Sequence, residues 1–574
     1  MKLSKRIGIT ILLLGVLLAW FHQFQLVGYT QIHWDEFYFL SKIHAHQDDR
    51  WFHAIQSIYV HWLGWVTQMG SNEVDQILYG RLFTVIFLVG IMVVCLYGCV
   101  HRLTRSPVAS LAAVFIALAH PFVAFQSFRF RADPMIGTGF LVAATLLIFR
   151  GERRLFRLLS GFVIGLMGAI SIKAVLFVPS LVLLLFLTRE KVGLQKRMLG
   201  VLELGLSSVG SAVVLLGLHQ LTLADAGMEN SKQLVNRAGS YMFGHFFPRD
   251  FECWETMTND FWFWLPIFIG WVTVLGSAIF TAGEHRRKAL VCVAMCLPML
   301  TLLFYRNAFA YFYVCIVPPS CVAVGWAVHL LIDETKRRWN RWGVEFVPII
   351  LLLPLFGLFL AQADRDKVDT ISHQKEFLDM VKEVFPQPVP YIDRCSMVGS
   401  HIKVGPFLTT WNLKALRKGG KPTFTAQIQA QKPLYLVNNV GGLNLNRPNR
   451  SKGNVHYLPV DDYRFLKTNY VQHSGPLWVV GKRETVTEKD KSFDVFIAGS
   501  YTIESQFPVV LNGEQVASGD VVWLSAGEHQ WRFAEKEHTS VVVLRWGDSL
   551  PKPVLSNPDQ QLFMKRFHPQ RPDK

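Results

Sequence analysis

The chain has 574 residues, of which 51% are hydrophobic and only 17% charged, and it carries a formal net charge of +16 at pH 7. Ordinary soluble domains hold about 25% charged residues, so composition excludes an ordinary soluble protein, and a mean hydropathy of +0.27 agrees. A basic excess can signal nucleic acid, but here the charges sit in short segments between apolar runs, which excludes that partner class.

Apolar runs of near-spanning length recur up to about residue 361 and then stop. The predicted spans are about 8–27, 82–100, 107–125, 134–149, 158–172, 174–188, 199–221, 262–281, 289–304, 311–331 and 345–361. With a cytoplasmic N-terminus, alternate segments hold twenty Lys and Arg residues inside against ten outside, although the longer loops lie outside. Arg150, Arg153, Arg154 and Arg157 form one inside cluster, and Arg286, Arg287 and Lys288 another. This is the positive-inside pattern, so the basic balance reports topology.

The first run follows the basic Met1–Arg6 and leads into Trp20-Phe21-His22-Gln23-Phe24 with no small-residue cleavage pattern, which predicts an uncleaved anchor. Directly after it comes Gln31-Ile32-His33-Trp34-Asp35-Glu36-Phe37-Tyr38. Two carboxylates at the mouth of a span are costly to place without a partner or a substrate. A bland acidic cap is the alternative to a general base. The stretch from Tyr38 to Trp65 has the spacing of an amphipathic interfacial helix, on which His46, Asp49 and His53 would share one face. That trio lacks a strict zinc spacing, so a wetted helix is the preferred reading.

Phe128-Arg129-Phe130-Arg131-Ala132-Asp133-Pro134 brings two arginines and a carboxylate to the entrance of the next outward-facing span. Either Arg–Asp pairing explains it, or a phosphate clamp, since guanidinium matches phosphate oxygens bidentately. The run from Leu158 to Thr188 has basic loops on both sides and predicts two short spans turning near Lys173. Lys173 and Arg306 add cations at outside turns. Cys253 and Cys395 are the cysteines in outside segments, and an oxidising compartment would let them pair.

Beyond residue 361 the texture changes. A mixed helix and strand region is predicted over 362–490, opened by a helix at Lys375–Val381. Short alternating strands then follow over 491–574, at Phe493–Ile497, Thr502–Ser505 and Ser540–Leu544, divided by the turns Asn512-Gly513 and Ser518-Gly519-Asp520. That pattern predicts a small β-sandwich.

His33-Trp34-Asp35-Glu36-Phe37-Tyr38-Phe39 resembles the Asp-Glu motif in the first outer loop of GT-C glycosyltransferases, with protein O-mannosyltransferases and lipid A aminoarabinose transferases nearest in pattern. Arg131-Ala132-Asp133-Pro134, Lys173 with Pro179, and Tyr311-Phe312-Tyr313 with Pro318 resemble later motifs of that superfamily, in the same order and on the same side. The resemblance covers about the first 330 residues. Ala174 stands where the family has glycine, and the Pro-Pro segment of the first loop is absent.

The resemblance implies a GT-C-like polytopic helical domain over 1–361, followed by extracytoplasmic α/β and sandwich regions. It implies transfer of a sugar from a polyprenyl-phosphate donor to a lipid, glycan or protein acceptor at the outer face of a bacterial inner membrane. Asp35 and Glu36 would be catalytic, with Asp35 as general base. Arg129, Arg131, Lys173 and Arg306 would bind the donor phosphate, with Asp133, Tyr311 and Tyr313 in support. No cofactor is expected, and family members differ in metal dependence, so a divalent metal stays open. The rival reading is a transporter or flippase of lipid-linked sugars, which would also place charges between spans.

Overall fold

The computed structural model describes residues 2–51, 53–189, 192–223, 245–339, 346–365, 371–418, 423–439, 443–446, 457–534, 539–559 and 561–563. Among the described residues the eleven apolar segments fall on helical structure, with a π-helical turn at Thr84–Leu88 inside the second and a break at His120 inside the third. Among the described residues, six helices are long and apolar enough to cross a membrane: Arg6–Tyr29, Glu73–Thr104, Ala132–Arg150, Leu194–Gln220, Phe261–Phe280 and Ala310–Arg338. Shorter apolar helices at Pro107–Ala119, Ile172–Thr188 and Val347–Ala363 accompany them. The chain is a multi-pass membrane protein with a C-terminal sheet region.

The order begins α1 (Lys2–Tyr29), α2 (Trp34–Gln47), α3 (Val60–Leu63), α4 (Glu73–Phe83), α5 (Val89–Thr104), α6 (Pro107–Ala119), α7 (Pro121–Gln126), α8 (Ala132–Arg150), α9 (Arg154–Ile170), α10 (Val178–Thr188) and α11 (Leu194–Gln220). Ser106 starts α6 by accepting the Ala109 N–H, with Pro107 at the first helical position. Residues 108 to 119 are all buried, as an all-round apolar helix requires. The expected turn near Lys173 is present: α9 ends at Ile170, and Ser171 accepts the Lys173 N–H at the start of a 3-10 segment, Ile172–Phe177, that leads into α10.

α9 and α11 approach backbone to backbone. A Cβ at Gly161 would lie 2.6 Å from the Leu204 carbonyl oxygen, and one at Gly165 would collide with Ser208 and Ser211. Ser207 donates to the Leu158 carbonyl at 2.7 Å. Small residues at four-residue spacing give this close van der Waals seam in a bilayer. The other face of α11 exposes Leu202, Leu206, Val209 and Val213.

The loop after α1 departs from the sequence reading. No single amphipathic helix runs from Tyr38 to Trp65, because α2 stops at Gln47 and Asp49 takes a left-handed φ of 51°, which a short polar side chain tolerates. His46 therefore ends a helix while His53 lies in the turn beyond it, and the two share no helical face.

In the tail, β1 (Pro390–Ile392), β2 (Ile402–Lys403) and β3 (Tyr435–Val437) pair in parallel, with β1 central. β5 (Leu477–Val486) is the hinge of the sheet. Its first residues pair with β3 and with β4 (Tyr470–Ser474), while its second half pairs with β12 (Ser540–Trp546). The sheet thus crosses residue 490 without a break and continues through β7 (Gly499–Glu504) to β10 (Val521–Leu524). A second sheet of β6 (Lys491–Val495), β11 (Gly527–Phe533), β8 (Val509–Leu511) and β9 (Glu514–Val516) shares one apolar core with it, through Phe493, Trp531 and Leu544. Asn512 and Gly513, both at positive φ, make the tight β8–β9 turn.

The tail closes over the loop after α1. Phe37 and Leu40 of α2 share a core with Phe377, Leu378 and Tyr391. Gln374, in the helix Ser372–Val384, accepts the Ile32 N–H at 2.7 Å and donates to the Ile32 carbonyl at 2.9 Å. Asn72 donates to Asp379, and Lys375 pairs with Asp75 at 2.8 Å. The tail and the first loop therefore lie on the same side of the helical bundle. Cys253 and Cys395 are both free and buried, so the bridge that an oxidising compartment would permit is not formed. The Cys395 thiol points at Asp393, and the Cys253 sulfur lies against Met257.

Candidate active site

The site is built on the first turn of α2. His33 is its N-cap in extended conformation, and its Nδ1 accepts the Asp35 N–H at 3.2 Å. Glu36 closes the capping box by accepting the His33 N–H at 3.0 Å. The helix N-terminus favours two carboxylates here, but the two face different surroundings.

Glu36 is fully buried and surrounded by donors. Arg81 meets it twice, Nε to Oε1 and Nη2 to Oε2, each at 2.7 Å. Arg129 Nη1 lies 2.9 Å from Oε2, and the Phe130 N–H donates to Oε1 at 3.0 Å. Burial alone would raise its pKa, but the charges of Arg81 and Arg129 and these hydrogen bonds win and hold the carboxyl well below the usual carboxylate range. Arg81 also donates to the Thr30 carbonyl at 2.7 Å, and Arg129 to the Gln31 carbonyl at 2.7 Å. This cluster fixes the corner between α1 and α2.

Asp35 points the other way and keeps 27% of its side chain open. Its Oδ2 is 3.0 Å from Arg131 Nη2, which also reaches Asp133 at 3.3 Å. Asp133 in turn holds Lys173 at 2.5 Å. Arg131 and Lys173 both lie over the Tyr311 ring, at 4.1 and 4.8 Å. Negative and positive groups alternate along this row, and Asp35 ends it at the open side. Burial raises the Asp35 carboxyl, Arg131 opposes and Asp133 reinforces the rise, and the balance leaves it above the ordinary aspartate value. His33 is held neutral, first by burial and then by Arg131 and Arg129, so the 3.7 Å approach of its Nδ1 to Asp35 is no ion pair.

Of the residues singled out in the sequence, the structure brings together Asp35, Arg131, Asp133, Lys173 and Tyr311. Glu36 and Arg129 sit immediately beneath, turned towards each other. Tyr313 is apart, its ring packed on Phe122 and Trp264. The backbone carbonyl of Arg306 accepts from Arg249 Nε at 3.1 Å.

Two residues escaped the sequence reading. Arg81 had counted only towards the outside charge, although an arginine inside Tyr79-Gly80-Arg81-Leu82 at the edge of an apolar run signals a buried partner. Arg394, from the tail, lies 4.3 Å over the Trp34 ring. Its loop is pinned by Asp393, which accepts from the Met397 N–H and from Asn439. One turn along α2 from Asp35, Tyr38 lines a cleft of about 880 Å³ shared with Trp51, Lys403 and Phe407.

No family model matches the chain, and no curated protein matches it. Among solved structures, it is similar to ArnT from Cupriavidus metallidurans bound to undecaprenyl phosphate, at TM-score 0.49 and 10% identity, over 83% of this chain and 93% of that one. It is also similar to the Archaeoglobus fulgidus oligosaccharyltransferase tethered with an acceptor peptide, at TM-score 0.48 and 14% identity, over 75% of this chain and 69% of that one. A third is arabinosyltransferase EmbB from Mycobacterium smegmatis, at TM-score 0.39 and 12% identity, over 95% of this chain and 63% of that one.

Proposed function

We propose that this chain is an integral-membrane glycosyltransferase that moves a sugar from a polyprenyl-phosphate donor to an acceptor hydroxyl at the outer face of the membrane. The observation that carries the reading is the division of labour between adjacent carboxylates. Glu36 is consumed by Arg81 and Arg129, while Asp35 stands part-open at the end of a row of cations. A structural cap alone needs only the first of these.

In this reading the acceptor enters by the cleft beside Tyr38, and Asp35 accepts its hydroxyl proton as the oxygen attacks the anomeric carbon. The bond from that carbon to the lipid-phosphate oxygen breaks, and the electron pair leaves with the phosphate. Arg131 and Lys173 stabilise the departing charge, which is the electrostatic part of catalysis. A raised carboxyl suits a base, because proton transfer works best when the pKa lies nearer the working pH. Glu36, with Arg81 and Arg129, is a positioning residue that fixes the turn carrying Asp35. Tyr313 has no part in the proposed step.

The test is to incubate purified protein with a panel of radiolabelled polyprenyl-phosphate sugars. Label should leave the lipid with wild-type protein and stay on it with Asp35→Asn. Label moved intact across a vesicle membrane, still on its lipid, would instead establish the transporter reading.

A further inference from the structure

Three histidines far apart in sequence meet at the outer ends of three helices. His46 is in the last turn of α2, His61 lies in α3, and His219 is the penultimate residue of α11. One ligand nitrogen from each can be chosen so that all lie within 4.8 Å of one another. His61 Nε2 is 2.8 Å from His219 Nδ1, and the His46 and His61 rings meet edge to face at 5.0 Å.

The hydrogen bonds around His219 fix its tautomer. The Ser57 hydroxyl donates to the His53 carbonyl at 2.5 Å, so its oxygen accepts from His219 Nε2–H at 2.8 Å. That leaves the lone pair on Nδ1, the atom that faces His61. A ligating imidazole whose other nitrogen is held by an outer partner is the usual arrangement in metal sites. The ring is 1% exposed, and the glycine–serine seam with α9 holds the helix beneath it.

We infer that His46, His61 and His219 bind one divalent transition metal, zinc by preference, as a staple joining the loop after α1 to the outer end of α11. Three imidazoles and an open fourth position match the tetrahedral habit of Zn²⁺, with bonds of about 2.0–2.1 Å. At that bond length the nitrogens stand roughly 3.3 Å apart, so the 2.8 Å His61–His219 pair spreads slightly and His46 closes in. The site is not the reaction centre. His46 lies eleven residues along α2 from Asp35, about 16 Å at the helical rise. It therefore stands whether or not the transferase reading does.

The experiment uses full-length protein purified without a polyhistidine tag, stripped with a chelator and dialysed against Zn²⁺ or Co²⁺ at neutral pH. Elemental analysis should find one zinc per chain, and Co²⁺ should give the visible bands of a tetrahedral site. His46→Ala and His61→Ala, at positions less buried than His219, should each weaken binding by at least the ~10–100-fold that loss of an outer-shell partner costs. His53→Ala should leave it unchanged. Zinc should also raise the melting temperature of wild type but not of the His46→Ala/His61→Ala double variant. A folded wild-type protein that retains no stoichiometric metal, or binding that survives the double variant, overturns the inference and leaves a hydrogen-bonded histidine cluster.

Discussion

Glu36 and Arg81 meet through two parallel hydrogen bonds of 2.7 Å, with both side chains shut away from solvent. Forty-five residues separate them in the chain, yet the arginine also donates to the carbonyls of Val27, Thr30 and Gln31, so one guanidinium ends α1 and anchors α2.

Breaking that pair should be costly. Glu36→Gln leaves Arg81 and Arg129 buried with reduced compensation, and loss of one partner from a buried pair costs about 3–5 kcal/mol. Thermal unfolding in detergent should show a large drop in midpoint, with activity falling as folded protein falls. A Glu36→Gln protein as stable as wild type, but inactive, would instead make Glu36 a direct participant.

Asp35→Asn should behave in the opposite way. Its partner Arg131 is buried but keeps Asp133 at 3.3 Å, so no guanidinium is left uncompensated and the fold should hold. Transfer should drop by about 10²–10⁴-fold, the range of general acid–base catalysis. Single-turnover assays on donor already bound would measure this, and near-normal turnover would reject Asp35 as the base.

The two carboxylates should also respond to pH with opposite sign. Asp35 has a raised folded pKa, so its contribution to stability is complete below the unfolded value of about 3.9 and is lost as pH rises through the folded value. Glu36 has a depressed folded pKa. Its contribution is complete above the unfolded value of about 4.3 and is lost as pH falls through the folded one. Melting temperature against pH should therefore lose its acid-side decline in Glu36→Gln and keep it in Asp35→Asn. The turnover profile should rise through an inflection above the ordinary aspartate value.

Arg131→Ala and Lys173→Ala should weaken donor binding as well as turnover, because cations that hold the phosphate act before and during the step. Arg131→Lys should not restore it fully, since a compact ammonium lacks the planar fork that matches phosphate oxygens bidentately. Equilibrium binding of the polyprenyl phosphate alone separates these variants from Asp35→Asn, whose binding should change little.

The helices were legible because apolar runs and basic loops are local patterns, and Ser106-Pro107 or Ser171 mark starts that any reader of caps finds. The Asp35-Glu36 dipeptide stood out as costly charge at the mouth of a span, but the burial of Glu36 against Arg81 and Arg129 was not readable there. Neighbouring residues on a helix point roughly 100° apart, and which one faces inward depended on Arg81, distant in sequence and unmarked by any motif. Arg129 read as a second phosphate ligand for the same reason. The histidine cluster was hidden in the same way: His46 invited grouping with Asp49 and His53, its near neighbours, while its actual companions wait on α3 and α11. The sheet crossing residue 490 was missed because β5 reads as one buried strand and nothing local says that its two halves serve different neighbours.

The Gln374 side chain, bonded to both the N–H and the C=O of Ile32, acts as a peptide group borrowed from the C-terminal region. The residue that begins the Asp35–Glu36 corner is thus completed by a helix 342 residues further along the chain. The soluble region is no detachable accessory: a chain cut before residue 371 would leave the Ile32 backbone unpaired and uncover the apolar side of α2 formed by Phe37 and Leu40. The corner that carries Asp35 therefore depends on the region beyond residue 371, and no truncated membrane half should inherit its geometry.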